Sequence, residues 1–107
     1  VQEDIYDAFM AKVIERTEAI IMGDPYDVNT MMGAQASNDQ YEKIISYINI
    51  GKEEGAKVLT GGEVCKLDGD LAKGYYIQPT LLEGHNKMRV FQEEIFGPVL
   101  AVTKFKD

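Results

Sequence analysis

Apolar residues recur every three or four positions near the start of the chain, a spacing that predicts an amphipathic helix. The stripe consists of Ile5, Phe9, Val13, Arg16 and Ile20, with Tyr6, Met10 and Ile21 beside it. Asp4 and Asp7 fall in the first turn, where the helix dipole favours negative charge. Gly23, followed by Asp24-Pro25, predicts the end of this helix.

A second helix is predicted after Ser37, because Ser37 and Gln40 have the spacing of a capping box. Its apolar stripe is Tyr41, Ile44, Ile45 and Ile48, and Gly51 or Gly55 is expected to end it. The intervening residues 23–37 are rich in Gly, Asp, Pro and Asn. A loop of about 15 residues is long for a compact domain, so we expect it to lie along a neighbouring surface.

Three short segments are predicted to be extended, namely Lys57–Thr60, Tyr75–Leu82 and Pro98–Phe105. Pro79 predicts that the second is either an edge strand or an interrupted one, since proline cannot donate to a ladder. The third is the most apolar, which predicts a buried strand. Residues 86–94 predict a short helical turn. Helices alternating with short strands indicate an α/β fold.

The charge of the chain limits the partners that it can bind. Lys and Arg number 11 and Asp and Glu number 18, and residues 1–54 alone carry 4 basic and 11 acidic side chains. Nucleic acid requires a basic face, and an anionic membrane surface would repel the acidic half, so neither partner is expected. The longest apolar run, Ala19–Met22, is far too short to span a bilayer.

The only cysteine and the only histidine exclude several kinds of site. A single Cys permits no disulfide within the chain, which suits a reducing, cytosolic compartment. Cys65 and His85 cannot form one of the usual zinc sites, and only Lys66 lies beside Cys65 to stabilise a thiolate. No glycine motif of a phosphate-binding loop is present. We therefore predict no catalytic residue and no metal ligand in the chain.

Residues Glu93–Pro98 form the most informative polar segment. A carboxylate here could accept hydrogen bonds from two vicinal ribose hydroxyls, and Phe96 could flank a flat heterocycle. Gly97 would let the backbone approach a ligand closely. The alternative is a solvated acidic turn in which the phenylalanine anchors the core.

Gln40 and Lys43 are a second candidate pair. They lie three residues apart on one helix face, so both side chains could reach one polar ligand. The alternative is an exposed helix flank in which the Gln40 side chain returns to cap Ser37.

Taken together, these motifs resemble the catalytic domain of the NAD(P)-dependent aldehyde dehydrogenases. The matching motifs, which cover essentially the whole chain in order, are Val1-Gln2-Glu3, Ile5-Tyr6-Asp7, Gly23-Asp24-Pro25, Gln40-Tyr41-x-Lys43-Ile44, Gly74-Tyr75-Tyr76-Ile77-Gln78-Pro79-Thr80 and Glu93-Glu94-Ile95-Phe96-Gly97-Pro98-Val99. The last of them is the most specific. The resemblance implies that residues 1–107 are a partial catalytic domain of α/β class, with two long helices and a few mostly parallel strands.

The resemblance also implies a chemistry. In this family an enzyme cysteine attacks the aldehyde to give a thiohemiacetal, hydride passes to the nicotinamide, and the thioester is hydrolysed to the acid. By resemblance, Glu94 would hold the nicotinamide ribose hydroxyls and Phe96 would pack near the nicotinamide. Gln40 and Lys43 would reach toward the same ribose. The cofactor would be NAD or NADP.

The family pattern places the nucleophilic cysteine, the general-base glutamate and the dinucleotide-binding domain before Val1. We therefore expect an internal segment that has no dehydrogenase activity by itself and that self-associates or partly unfolds in isolation. The parent would be a cytoplasmic homodimer or homotetramer that takes an aldehyde substrate. The alternative is a truncated, non-catalytic module whose helices mediate assembly or bind a partner.

Overall fold

A three-stranded sheet lies between two long helices in the computed structural model, which describes all 107 residues. The elements in chain order are α1 (Tyr6–Glu18), α2 (Asn38–Glu53), β1 (Lys57–Thr60), β2 (Thr80–Glu83), α3 (Arg89–Gln92) and β3 (Val99–Val102). Short 3-10 helices cover Glu3–Ile5 and Gly69–Lys73. These elements confirm the predicted α/β class with two long helices.

The strand order is β1-β2-β3, with β2 antiparallel to β1 and parallel to β3. The sheet is therefore mixed, whereas the resemblance implied mostly parallel strands. The reason lies in the connections, because a parallel pair needs a crossover and an antiparallel pair does not. The connection from β2 to β3 contains α3, whereas residues 61–79 return from β1 to β2 with only a single 3-10 turn.

The central strand β2 carries side chains into hydrophobic clusters on both faces of the sheet. Leu82 packs in the larger cluster with Ile44 of α2, and Leu81 packs in the smaller cluster with Met10 of α1. Pro79 precedes the first residue of β2, so the predicted interruption is confirmed and the edge-strand alternative is wrong. Thr80 follows it and is also buried.

Strand β3 is less buried than its composition predicted. Val102 is buried in the cluster under α1, but Leu100, on the same face of this edge strand, is 54% exposed. The continuous apolar run is therefore not evidence of burial on both faces within these 107 residues.

Helix α1 buries a different face from the predicted one. Tyr6 and Met10, which flank the predicted stripe, are each 4% exposed, whereas Ile5 is 56% and Phe9 47% exposed. The helix also ends at Glu18, well before Gly23. It stops early because the carbonyl of the nearby Ile21 accepts hydrogen bonds from residues 31 and 32, which draws the chain out of helical geometry.

The loop over residues 23–37 contacts a neighbouring surface only at its ends, whereas the prediction had the whole loop lying along one, and Tyr26 and Val28 in its middle are each 96% exposed. The Gln35 amide donates to the Tyr75 carbonyl at 2.8 Å, and the Tyr76 hydroxyl donates to the Gly23 carbonyl at 3.1 Å. Both contacts join the loop to the segment that leads into β2.

Helix α2 has well-defined caps at both ends. The Ser37 hydroxyl accepts a hydrogen bond from the backbone amide of Gln40 at 3.2 Å, which confirms Ser37 as N-cap. At the other end Gly55 adopts a φ of 95°, and the Ala56 amide donates to the Gly51 carbonyl at 2.8 Å, the pattern of a Schellman motif. None of the helices has the length and apolar composition needed to cross a membrane.

Candidate functional site

One face of α2 holds the segment Glu93–Gly97, which connects α3 to β3. Gln40, Ile44 and Tyr47 are spaced by four and three residues, so they share this face. The Gln40 side-chain amide donates to the carbonyls of Ile95, at 3.2 Å, and Phe96. The polar helix face and the acidic turn, which are far apart in sequence, are therefore in direct contact.

This contact excludes the interpretation in which the Gln40 side chain caps Ser37. The Ser37 half of the capping box forms, but the Gln40 side chain does not return to Ser37. It instead supports the backbone of the turn at residues 95 and 96.

Glu93 is fully engaged by neighbouring side chains. Arg89, one helical turn earlier, donates from Nε and from Nη2 to the two carboxylate oxygens of Glu93, both at 2.9 Å. The Tyr47 hydroxyl donates to Glu93 Oε2 at 2.6 Å, and the Arg89 guanidinium carbon lies 5.6 Å from the centroid of the Tyr47 ring. Arg89, Tyr47 and Glu93 are referred to below as the Glu93 network.

The network shifts the protonation of its members. Hydrogen bonds first from Arg89 and then from Tyr47 lower the pKa of Glu93 to about 2. The same contacts raise the pKa of the Tyr47 phenol, chiefly through its hydrogen bond to Glu93, and raise that of Arg89. Glu93 is therefore ionised at neutral pH, with its oxygens already occupied.

The surroundings of Glu94 differ from those of Glu93. Its side chain is exposed and makes no hydrogen bond or ion pair within the chain. Two adjacent carboxylates therefore have distinct environments. Glu93 is a structural group, and Glu94 is the one free to accept hydrogen bonds from a ligand.

Phe96 combines an exposed ring with a strained backbone. It is the only non-glycine residue with positive φ, at 57°, and the residue is 72% exposed. The left-handed conformation costs roughly 1–2 kcal/mol for a residue with a side chain, and such strain clusters at functional sites. The alternative interpretation of Phe96 as a core anchor is wrong, because its ring is directed away from the core.

The remaining sequence candidates lie elsewhere. The Lys43 ammonium lies 6.0 Å from the centroid of the Tyr47 ring and forms no hydrogen bond or ion pair with Glu94. Cys65 is half-buried in the long connection between β1 and β2. No group of three or more His, Cys, Asp or Glu side chains is arranged to hold a metal ion.

Sequence reasoning missed Arg89 and Tyr47. The four-residue spacing of Arg89 and Glu93 was a usable signal, since such pairs face each other on a helix. Tyr47 gave no such signal, because 46 residues separate it from Glu93.

The exposed groups at this turn fit a nucleoside. An unpaired carboxylate at Glu94 suits a vicinal diol, and the exposed Phe96 ring suits the face of a flat heterocycle. The arrangement can bind and orient such a ligand.

Comparison with known proteins agrees with this geometry. A model of the aldehyde dehydrogenase family matches residues 1–107. An acetaldehyde dehydrogenase of Pseudomonas aeruginosa is 66% identical over all 107 residues, and an EPTC-inducible aldehyde dehydrogenase of Rhodococcus erythropolis is 65% identical. The chain spans only 21% of the length of each of these relatives.

Solved structures give the same result. HpcC of Thermus thermophilus superposes with a TM-score of 0.95 at 43% identity, covering 100% of this chain and 21% of its own. Betaine aldehyde dehydrogenase of Staphylococcus aureus, solved in complex with NAD+, superposes with a TM-score of 0.91 at 38% identity, covering 100% of this chain and 21% of its own.

Proposed function

Because this chain belongs to the aldehyde dehydrogenase family, we propose that it is part of an enzyme that oxidises an aldehyde to a carboxylic acid with NAD+ or NADP+. Residues 1–107 form part of the catalytic domain of that enzyme. The bound cofactor supplies the hydride acceptor for the reaction. The enzyme is a cytoplasmic homo-oligomer, and this segment contributes to its cofactor site.

In this proposal each candidate residue has a defined task. The Glu94 carboxylate accepts hydrogen bonds from the ribose hydroxyls on the nicotinamide side, and the Phe96 ring flanks the nicotinamide. Gln40 supports the backbone between them through the carbonyls of Ile95 and Phe96. Lys43 lies one turn further along α2 and adds positive charge near the ribose and phosphate.

The observation that carries the proposal is the free carboxylate of Glu94 beside the fully occupied carboxylate of Glu93. An exposed acidic turn with no ligand role would leave both side chains in solvent. Here one is held rigidly while the other is left without a partner, next to an aromatic ring on strained backbone.

The test uses a chimera in which residues 1–107 replace the matching segment of the Pseudomonas aeruginosa relative. Glu94→Gln is expected to weaken NADH binding roughly 10- to 100-fold, because hydrogen bonds to a charged acceptor are lost. Glu15→Gln, which alters an exposed glutamate of α1, is the matched control.

Fluorescence titration of NADH measures binding directly and is independent of turnover. Equal dissociation constants for Glu94→Gln, Glu15→Gln and the unsubstituted chimera would refute the assignment of Glu94. The alternative of a non-catalytic assembly module would instead be favoured if the isolated chain bound a protein partner tightly.

A further inference from the structure

We propose that Arg89 and Tyr47 are positioning residues of the cofactor site, which hold Glu93 so that the next residue, Glu94, and the Phe96 ring face the ligand. This inference rests on the proposed function of Glu94. It assigns a task to two side chains to which the sequence analysis gave no role, and it concerns the orientation of Glu94 and Phe96.

The geometry of the Glu93 network restricts the carboxylate in every direction. The two parallel hydrogen bonds from Arg89 fix both oxygens in the plane of the guanidinium, which is the most directional form of an ion pair. The Tyr47 hydroxyl adds a third hydrogen bond from α2, and the Tyr47 ring lies against the guanidinium. Arg89 and Tyr47 together make three hydrogen bonds to the Glu93 carboxylate and so restrict its orientation.

The network is poorly placed to stabilise the fold as a whole. The Arg89 side chain is 52% exposed and that of Glu93 is 40% exposed, and exposed ion pairs contribute little free energy. What such a bidentate pair provides is orientation. Because Glu93 has extended backbone and Glu94 follows it directly, holding the Glu93 side chain restricts the backbone from which the Glu94 side chain projects on the opposite side.

Helix α2 anchors the segment at several successive points. Tyr47 holds Glu93, Gln40 holds the carbonyls of residues 95 and 96, and Ile44 packs against Gly97. At the far end of α2, Glu54 accepts from the Arg89 amide at 3.1 Å and so seats the start of α3.

These four residues of α2 recur at intervals of four, three and seven, which places them on one side of a single rigid helix. Glu94 lies between two of the anchors. Without the Glu93 network, the Glu93 side chain loses its hold on α2, and only backbone hydrogen bonds such as that from the Glu93 amide to the Arg89 carbonyl, at 2.9 Å, restrain this part of the turn.

The experiment compares Arg89→Met and Tyr47→Phe in the chimera, with Arg16→Met and Tyr26→Phe as matched exposed controls. NADH binding is expected to weaken on the order of 10-fold for Arg89→Met and several-fold for Tyr47→Phe, because small misplacements of positioned groups are costly. The controls are expected to bind as the unsubstituted chimera does.

A second readout needs no cofactor. Amide hydrogen exchange of residues 94–97 in the cofactor-free protein is expected to accelerate in Arg89→Met and Tyr47→Phe, whereas exchange in the interior of α2 stays unchanged. Arg89→Met is expected to have little further effect in a Glu93→Gln background, since both substitutions break the same pair.

The outcomes separate this inference from the proposed function. Weaker NADH binding by Glu94→Gln, with unchanged binding and unchanged exchange in Arg89→Met and Tyr47→Phe, would overturn the positioning role alone. A second outcome is unchanged NADH binding in Glu94→Gln, Arg89→Met and Tyr47→Phe, together with faster amide exchange at residues 94–97 in the last two. It would refute the proposed function and confirm that the network holds the turn.

Discussion

The tight contact between Gly97 and Ile44 gives the most direct test of how α2 holds the turn. A Cβ added at Gly97 would lie 2.4 Å from Ile44 Cδ1 and 2.6 Å from Cγ1, at least about 1 Å closer than carbon atoms pack. Gly97 does not have positive φ, so alanine meets no conformational strain there and the cost is steric.

Neither side of this contact has room to move. Ile44 is fully buried in the larger hydrophobic cluster. On the other side, Gln40 binds the Phe96 carbonyl, and the Thr80 amide donates to the Pro98 carbonyl at 2.8 Å. Gly97→Ala is therefore expected to lower the free energy of unfolding by roughly 1–3 kcal/mol, the cost of overpacking a filled site.

A double-mutant cycle identifies the source of this cost. Ile44→Ala alone is expected to cost about 2–5 kcal/mol because it leaves a cavity. It removes the side-chain atoms that a Cβ at Gly97 would meet, so Gly97→Ala in that background is expected to be nearly neutral. Urea unfolding of the 107-residue chain, followed by circular dichroism at a concentration where the chain is monomeric, measures all four variants.

The matched control is Gly33→Ala, because nothing lies within 4 Å of a Cβ at Gly33 and its φ is not positive. It is expected to be neutral or slightly stabilising. A Gly97→Ala variant as stable as Gly33→Ala would refute the steric argument. Costs that simply add in the double variant would show that the penalty arises somewhere other than Ile44.

Three further predictions concern Phe96, Glu93 and Tyr6. Glycine adopts the left-handed conformation without strain, but it also raises the conformational entropy of the unfolded chain. Phe96→Gly should therefore be roughly 0.5–1 kcal/mol more stable than Phe96→Ala in urea unfolding. Both variants should bind NADH weakly. The pKa of Glu93 is about 2 in the folded chain, whereas its ordinary value is 4.5. The stabilisation of the fold by the Glu93 network should therefore be complete above pH 4.5 and should be lost as the pH falls toward 2. An NMR titration should place the Glu93 midpoint near 2 and move it toward 4.5 in Arg89→Met. Tyr6→Phe removes the hydroxyl that donates to the Glu83 carboxylate, and it should cost about 1–2 kcal/mol by thermal unfolding.

Local signals in the sequence were sufficient for α2 and its caps, whereas they misplaced the end and the buried face of α1. Ser37 and Gly55 act within a few residues of their own positions, so the chemistry that defines them is visible in a short window. The strand pairing was not predictable in this way. Whether β1 runs antiparallel to β2 depends on the path of residues 61–79, which no local pattern encodes.

The candidate site also contains residues that a short stretch of sequence identifies and residues that only the fold brings together. Glu94 and Phe96 stand in one short motif, so the sequence could single out their segment. The partners that give them different surroundings come from α2, about fifty residues earlier, and only the fold brings these together. Gln40 illustrates the limit, because its spacing from Ser37 favoured a cap and its side chain binds the distant turn instead.

Phe96 is the position where local preference and structure disagree most clearly. A glycine would adopt its φ of 57° at no steric cost, and an exposed phenylalanine buries too little surface to offset that strain. Something other than stability of these 107 residues must therefore account for the ring. Gln40 holds this backbone through hydrogen bonds to the Ile95 and Phe96 carbonyls, and the next residue, Gly97, packs against Ile44. Such restraint is expected where a strained backbone belongs to a binding site. The same α2 face thus holds the turn that carries both the exposed Phe96 ring and the unpartnered carboxylate of Glu94.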